Sequence, residues 1–162
     1  MRSRAKIQSM VSAVGMGAAA LFSSLAAHAD PFKLAYLGDW TIVSRQMAPW
    51  ALPDDTPVAS DIKALMGKTV TFAPKSIRAP QPLGCNDVKY KVDTYTSDLL
   101  FEGGLTNPDR QAAALGFHDK AIPTLIPGCE IEFHFLDADT ALFALNNSIY
   151  RMQRKAKNQT AN

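Results

Sequence analysis

Residues suited to catalysis or metal binding are scarce in this chain. Its 162 residues include two cysteines and three histidines. No C-x-x-C or H-x-x-x-H spacing is present, and a structural zinc ion needs four clustered ligands of this kind. G-x-S-x-G, a glycine-rich phosphate loop and H-E-x-x-H are also missing, so no motif indicates a serine hydrolase, a nucleotide site or a zinc protease. We therefore expect no cofactor.

Long apolar runs are scarce as well, and the one present lies close to the N-terminus. Residues 11–27 are rich in Ala, Leu, Val, Met and Phe, and small residues flank a bulky one at positions 27–29. Three basic residues precede the run, namely Arg2, Arg4 and Lys6. This layout predicts a cleavable signal peptide over residues 1–29 and a periplasmic or secreted protein.

The alternative for this N-terminal run is a membrane anchor. Ser23 and Ser24 interrupt the run, and no second apolar span follows. A spanning helix needs about 20 predominantly apolar residues. We therefore expect no stable membrane span after the signal is removed.

An excess of charge of one sign is lacking once the signal is removed. The signal contains three basic and no acidic residues, so 14 Lys and Arg remain against 15 Asp and Glu. A net charge near zero gives no general attraction to nucleic acid, and we expect no nucleic-acid partner. The remaining length predicts a single domain over residues 30–154, followed by a disordered polar tail over residues 155–162.

The two cysteines, Cys85 and Cys129, both remain after processing. An even number of cysteines in an exported chain favours a disulfide, and these two allow one intramolecular pairing. Closing a loop of this size stabilises a domain by about 4 kcal/mol in the chain-entropy model. Two buried free thiols, or a metal site, are the alternatives.

Short segments of alternating polarity dominate the rest of the chain. Together with the β-branched and aromatic residues 40–43 and the largely apolar residues 140–145, they predict strands at residues 40–43, 68–72, 88–94, 98–102, 129–135, 140–145 and 149–153. Short helices are predicted at residues 61–66 and between Asn107 and Gly116, where Asn and Pro suit the start and Gly the end. The last three strands, joined by tight turns, form a meander. The predicted fold is mainly β, an antiparallel barrel or a strongly curved meander sheet with one or two short helices.

Both ends of this domain resemble the lipocalins, taken broadly as small exported β-barrels of the calycin type. Gly38-Asp39-Trp40 matches the G-x-W that opens the first strand of that family, and the apolar residues 32–37 precede it. Arg151 lies on the last predicted strand, where the family often has an arginine that packs on the opening tryptophan. The resemblance implies a structural Trp40–Arg151 contact at the closed end of a barrel.

One group of polar residues could serve catalysis or weak metal binding. Glu130, Glu132 and His134 are spaced two apart, so on a strand they point the same way. The simpler interpretation is that they form the solvent-exposed face of a half-buried strand whose other face is apolar. His118 lies in a polar loop and is expected to be solvated.

Two proline-containing loops are candidate contact surfaces. The loop over residues 47–53 carries Met47 and Trp50, and either offers a contact patch or folds back over the barrel. The loop over residues 75–80 carries Ser76 and Arg78, and either reaches an anionic group of a partner or is a solvated turn.

These observations favour an exported, non-enzymatic binding module. Its partner would be a small apolar ligand held in the barrel, or an envelope protein bound by the loops, for example a cell-wall hydrolase that it inhibits. A hydrolase or metal-dependent enzyme using Glu130, Glu132 and His134 is the first alternative. An envelope structural component is the second.

Overall fold

A computed structural model describes residues 35–156. The predicted signal peptide, and the part of the predicted tail beyond residue 156, lie outside the described residues. The strands are β1 (Gly38–Met47), β2 (Thr69–Ala73), β3 (Ser76–Arg78), β4 (Cys85–Asn86), β5 (Lys91–Tyr95), β6 (Ile122–Ile126), β7 (Phe133–Phe135), β8 (Thr140–Leu145) and β9 (Ser148–Arg154). The helices are α1 (Ala59–Leu65), α2 (Pro108–Leu115) and a 3-10 segment, η1 (Ser97–Gly103).

The strands form one antiparallel sheet in the order β4-β3-β2-β1-β9-β8-β7-β6-β5. Its two edge strands, β4 and β5, follow each other in sequence, so residues 87–90 connect one edge to the other. The sheet is therefore curled into a half-barrel, and the predicted fold class is confirmed. The predicted meander is present as β7, β8 and β9, with Asn146 in the β8–β9 turn at a φ of 51°.

Two apolar layers lie on the two faces of this sheet. The concave face carries fully buried side chains, namely Trp40, Val70, Phe72, Phe133, Phe143 and Met152. The convex face is covered by η1, α2 and the segment between them, which pack Leu100, Phe101, Leu105 and Leu115 against Leu142 and Ile149. Because side chains alternate along a strand, β7 contributes Phe133 and Phe135 to the first layer and His134 to the second.

The predicted disulfide is confirmed. Cys85 is bonded to Cys129, with their Cα atoms 6.6 Å apart. Cys85 lies on the edge strand β4, whereas Cys129 lies between β6 and β7 near the opposite edge. The bond therefore holds the two sides of the curled sheet together.

Several local predictions were wrong. Residues 98–102, predicted as a strand, belong to η1, in which Phe101 and Glu102 have φ values of 52° and 59°. Strand β6 was not predicted. Ser76 and Arg78, assigned to a loop, lie on β3 and pair with β2. In each case pairing or packing with distant residues decides the local conformation.

The cation on the Trp40 ring is Arg154, not Arg151 as the resemblance implied. The Arg154 guanidinium lies 4.3 Å from the ring centroid, whereas Arg151 donates to the Leu115 carbonyl at 3.3 Å. Strand alternation explains the difference, because Tyr150, Met152 and Arg154 share one face of β9 and Arg151 points to the other.

The first residue of the predicted tail is bound to the sheet. The Lys155 backbone N–H donates to the Asp39 carbonyl at 2.8 Å, and its ammonium donates to Thr69 at 2.7 Å. Within residues 35–156, no helix has the length and apolar character needed to cross a membrane.

Candidate functional site

A cleft of about 360 Å³ opens on the convex side of the sheet, beside η1. Its walls include two aromatic residues, three carboxylates and a histidine, namely Trp50, Phe101, Glu102, Glu130, Glu132 and His134. The loop after β1 supplies Trp50, and η1 supplies Phe101 and Glu102. The segment leading into β7 supplies Glu130 and Glu132, and β7 itself supplies His134. Ala144, Leu145 and Asn146, at the end of β8 and in the turn after it, complete the lining, so the cleft gathers residues from four separate parts of the sequence.

The aromatic wall of the cleft is formed by Trp50 and Phe101. Their ring centroids are 5.7 Å apart, and Trp50 is half-buried. Gly104 makes room for this contact, because a Cβ at this position would lie 3.0 Å from the Trp50 ring. Trp50, predicted as a contact residue, thus lines the cleft and packs against the convex layer.

The backbone beside the cleft is strained. Phe101 and Glu102 are consecutive non-glycine residues in the left-handed region, which costs about 1–3 kcal/mol for each residue. The Phe101 N–H donates to Nε2 of His134 at 3.2 Å. His134 therefore holds this turn against the sheet and sets the position of the Phe101 ring.

His134 is a buried structural residue, and its placement on a solvent-exposed face was wrong. Its relative exposure is 1%. Nδ1 lies 2.9 Å from the Thr124 hydroxyl. With Nε2 accepting from Phe101, Nδ1 carries the proton and donates to Thr124. Burial lowers the pKa of His134 to about 3, so the ring is neutral near pH 7. The convex face of β7 is dry because η1 covers it.

Glu132 and Glu130 lie at the rim of the cleft rather than in a row with an accessible imidazole. Glu132 is half-buried and accepts a hydrogen bond from the Tyr95 hydroxyl at 3.1 Å. Burial raises the pKa of Tyr95, and the charge of Glu132 and this hydrogen bond raise it further. Glu130 is exposed. Both precede β7, so strand alternation with His134 does not extend to them.

The cleft collects every glutamate of the chain. The sequence contains three, Glu102, Glu130 and Glu132, and all three line it. Among residues 35–156, no lysine or arginine forms an ion pair with any of them. Nor do any three His, Cys, Asp or Glu side chains in that part of the chain lie close enough together to hold a metal ion. The carboxylates are therefore distributed around the cleft rather than converging on one point.

The other predicted contact residues do not join this cleft. Met47 ends β1, and its sulfur accepts a hydrogen bond from Arg45 at 3.4 Å. Ser76 lies in β3, where its carbonyl accepts from the Tyr90 hydroxyl at 3.1 Å, and Arg78 is exposed on the same strand. His118 is exposed and lies outside the cleft.

Sequence reasoning missed Phe101, Glu102 and Gly104 as site residues. The predicted strand over residues 98–102 placed Phe101 and Glu102 on an ordinary sheet segment and left Gly104 just beyond its end. The Gly103-Gly104 pair directly after Glu102 was the available signal, because paired glycines mark places where backbone turns sharply or approaches another group closely.

The concave side of the half-barrel is occupied by its own aromatic side chains. Phe72 and Phe133 have ring centroids 4.9 Å apart, and Phe133 and Phe143 are separated by 5.6 Å. Phe143 also stacks on Tyr150 at 5.2 Å.

Comparison of the chain with protein-family models, with curated proteins and with solved structures gave no match.

Proposed function

We propose that this chain is an exported, non-enzymatic binding protein that takes its ligand in the convex cleft rather than inside the barrel. The observation that carries the proposal is the cleft itself, a volume of about 360 Å³ walled by Trp50, Phe101 and three glutamates that form no ion pair with any lysine or arginine of residues 35–156. Pockets for small ligands commonly combine apolar and aromatic walls with a few polar groups that fix orientation.

The packing of the concave side supports this choice of site. Trp40, Val70, Phe133 and Phe143 point into the concave side, and each has a relative exposure of 0%. A ligand there would have to displace aromatic side chains already in contact with one another. Displacing close-packed aromatic groups is costly, so the convex cleft is the better binding site.

The state of His134 argues against the enzyme alternative built on Glu130, Glu132 and His134. A general base needs a free lone pair within reach of its substrate. Nε2 of His134 accepts from Phe101, and Nδ1 donates to Thr124. The ring has no lone pair to offer, and the two glutamates are left without the base that this alternative requires.

The lipocalin-like resemblance stands as part of the proposal. It is supported by Trp40 near the start of β1, and by an arginine of the last strand lying on its ring, although the arginine is Arg154. In this proposal the end of the barrel with the Trp40–Arg154 contact has a structural role, and the ligand binds in the cleft beside η1.

The two tryptophans provide the test, because Trp40 reports on the barrel interior and Trp50 on the cleft. The processed chain is labelled with ¹⁵N and screened by NMR against neutral, anionic and cationic fragments. We expect binding fragments to shift the Trp50 indole signal and the amides of residues 130–132, and to leave the Trp40 indole signal unchanged. The proposal is wrong if the binding fragments shift only the Trp40 indole signal, or if no fragment of the library shifts the Trp50 indole signal.

Two variants complete this test. Trp50→Ala removes half of the aromatic wall and should abolish the shifts of residues 130–132. Leu52→Ala is the matched control, because Leu52 lies in the same loop, is 69% exposed and does not line the cleft. Equal loss of binding in both variants would contradict a direct role of Trp50.

A further inference from the structure

We infer that the convex cleft selects an organic cation, specifically a protonated amine or guanidinium on a short apolar stem. This inference rests on the proposed function, because it names the chemical class of the ligand. Four features of the cleft support it, namely its charge, the placement of its carboxylates, its aromatic wall and its size.

The charge of the cleft is one-sided. Its charged side chains are Glu102, Glu130 and Glu132, and none of them is neutralised by a lysine or arginine within the described part of the chain. The Tyr95 hydroxyl is the one side-chain donor that a described residue offers them, and it is committed to Glu132. A ligand entering this cleft therefore meets a negative field, which raises the local concentration of cations.

The placement of the carboxylates favours an organic cation over a metal ion. A metal ion needs ligands that converge within about 2–2.6 Å of one point, and no three candidate ligands of residues 35–156 are arranged in this way. An ammonium has three N–H donors and a guanidinium has five, and they point in different directions. Such a group can donate hydrogen bonds to several carboxylates that lie apart from one another around a cleft.

The aromatic wall completes the recognition of this class of ligand. The half-buried Trp50 ring stands beside the same cleft as the three carboxylates. A cation over an aromatic face is attracted by the ring quadrupole, most strongly for tryptophan. Ile131 and Ala144 add apolar surface to the lining, which suits the methylene stem of an alkylamine.

The size of the cleft limits the ligand. Its volume of about 360 Å³ is near the lower end of about 300–1,000 Å³ that is usual for small-molecule sites. This space suits a group of the size of a lysine or arginine side chain, or a short free diamine. The two sources share one chemistry, and the experiment separates them.

The test is a titration of the processed chain, followed by the Trp50 indole signal. The probes are 1,5-diaminopentane as a free amine, N-acetyl-lysine amide as a side-chain mimic, N-acetyl-norleucine amide as its uncharged analogue, and glutarate as an anion. We expect at least one of the two cations to bind at least about tenfold more tightly than the norleucine compound. We also expect this affinity to fall as salt rises, because the attraction is electrostatic.

Charge-neutralising variants test the residues. Glu130→Gln and Glu132→Gln should each weaken cation binding several-fold and leave the weak norleucine binding unchanged. Glutamine at position 132 can still accept from Tyr95, so the fold is retained, and an unchanged Trp40 signal verifies this. Asp54→Asn is the matched control, because it removes the same charge from an exposed position near Trp50 in the sequence. If it weakens binding as much as the glutamate variants, the inference is wrong.

The outcomes separate this inference from the proposed function. If neutral or anionic fragments shift the Trp50 indole signal and both cations fail to do so, the inferred ligand class is wrong and the proposed binding site is retained. A Trp50 signal that no compound moves would overturn both. Binding of the lysine amide alone indicates a polypeptide source, and binding of the diamine alone indicates a free amine, and either result supports the shared chemistry.

Discussion

Arg154 and Trp40 form the junction between the last and the first strand of the sheet, with the guanidinium 4.3 Å from the indole centroid. The indole N–H donates to the Tyr36 carbonyl at 2.9 Å. Arg154 also donates to the Leu37 carbonyl at 3.1 Å and to the Asp139 carboxylate at 3.0 Å. One side chain thus ties together the start of β1, the end of β9 and the β7–β8 turn.

Arg154→Met should therefore destabilise the domain. A partly desolvated cation–π contact contributes up to about 2 kcal/mol, and each net hydrogen bond about 1 kcal/mol, so we expect a loss of about 3 kcal/mol in urea unfolding. Arg151→Met is the control and should cost about 1 kcal/mol, because Arg151 donates to Leu115 alone among the described residues. An equal or larger loss for Arg151→Met would contradict the assignment.

His134→Ala should also destabilise the domain, here by about 2–4 kcal/mol. The substitution leaves the Phe101 N–H without its acceptor in a buried site, which costs about 1–3 kcal/mol. It also removes the hydrogen bond of His134 to the Thr124 hydroxyl and leaves a cavity in place of the ring. It also releases the turn that positions Phe101 beside Trp50. Urea unfolding measures the loss, and a cost under about 0.5 kcal/mol, typical of surface positions, would show that the ring is not buried in solution.

The same histidine should make stability depend on pH. Burial lowers the pKa of His134 to about 3 in the folded protein, against about 6.5 in an unfolded chain. The unfolded state thus takes up the proton first, so stability is full above about pH 6.5 and falls as the pH drops towards 3. Between pH 7 and 5.5 the free energy of unfolding should fall by about 1 kcal/mol.

His118→Asn is the control for this pH dependence. His118 is exposed, so the variant should keep the slope of the wild-type protein. His134→Gln should lose most of the slope. If the pH dependence of the free energy of unfolding survives in His134→Gln and disappears in His118→Asn, the prediction for His134 is wrong.

The sequence predicts best where the local pattern and the fold agree. The largely apolar residues 140–145, followed by Asn146-Asn147 and residues 149–153, predicted β8, its turn and β9. This prediction is confirmed because two strands that pair across a two-residue turn are specified by sequence neighbours alone. Alternation also put His134 on the face opposite Phe133 and Phe135. Whether that face is wet or dry depends on η1, which lies over 30 residues earlier and has no signature in the strand itself.

The cleft could not be predicted for the same reason. Glu102 and Glu132 are 30 positions apart in the sequence, and they share a cleft through the sheet order and the strained turn at Phe101. The Arg154 contact was missed by a smaller margin. The predicted last strand ended at residue 153, and strand ends are uncertain by one or two residues.

Loss of the Cys85–Cys129 disulfide should open the curled sheet at its edges. Removing the constraint on the unfolded chain costs about 4 kcal/mol for a loop of this size. We expect the Cys85→Ser/Cys129→Ser variant, and the wild-type protein in reducing agent, to unfold at correspondingly lower urea concentrations. Agreement between the two is the control, and a midpoint unchanged by reduction would mean that chain connectivity alone closes the sheet.

Gly104→Ala should disturb Trp50 without straining the backbone. Gly104 has a φ of −68° and a ψ of −12°, which alanine adopts freely. Its Cβ, however, would lie 3.0 Å from the Trp50 ring and 3.1 Å from the Phe101 carbonyl oxygen. We expect a shifted Trp50 indole signal and a loss of about 1–2 kcal/mol from overpacking.

A double-mutant cycle identifies which neighbour causes the cost of Gly104→Ala. In a Trp50→Ala background the ring is gone, so Gly104→Ala should cost markedly less than in the wild-type protein, because the nearest obstacle has been removed. If the cost is the same in both backgrounds, the Phe101 carbonyl is the obstacle, and Trp50 is free to move away. The cleft would then have a mobile aromatic wall, and its affinity for any ligand would include the cost of ordering that ring.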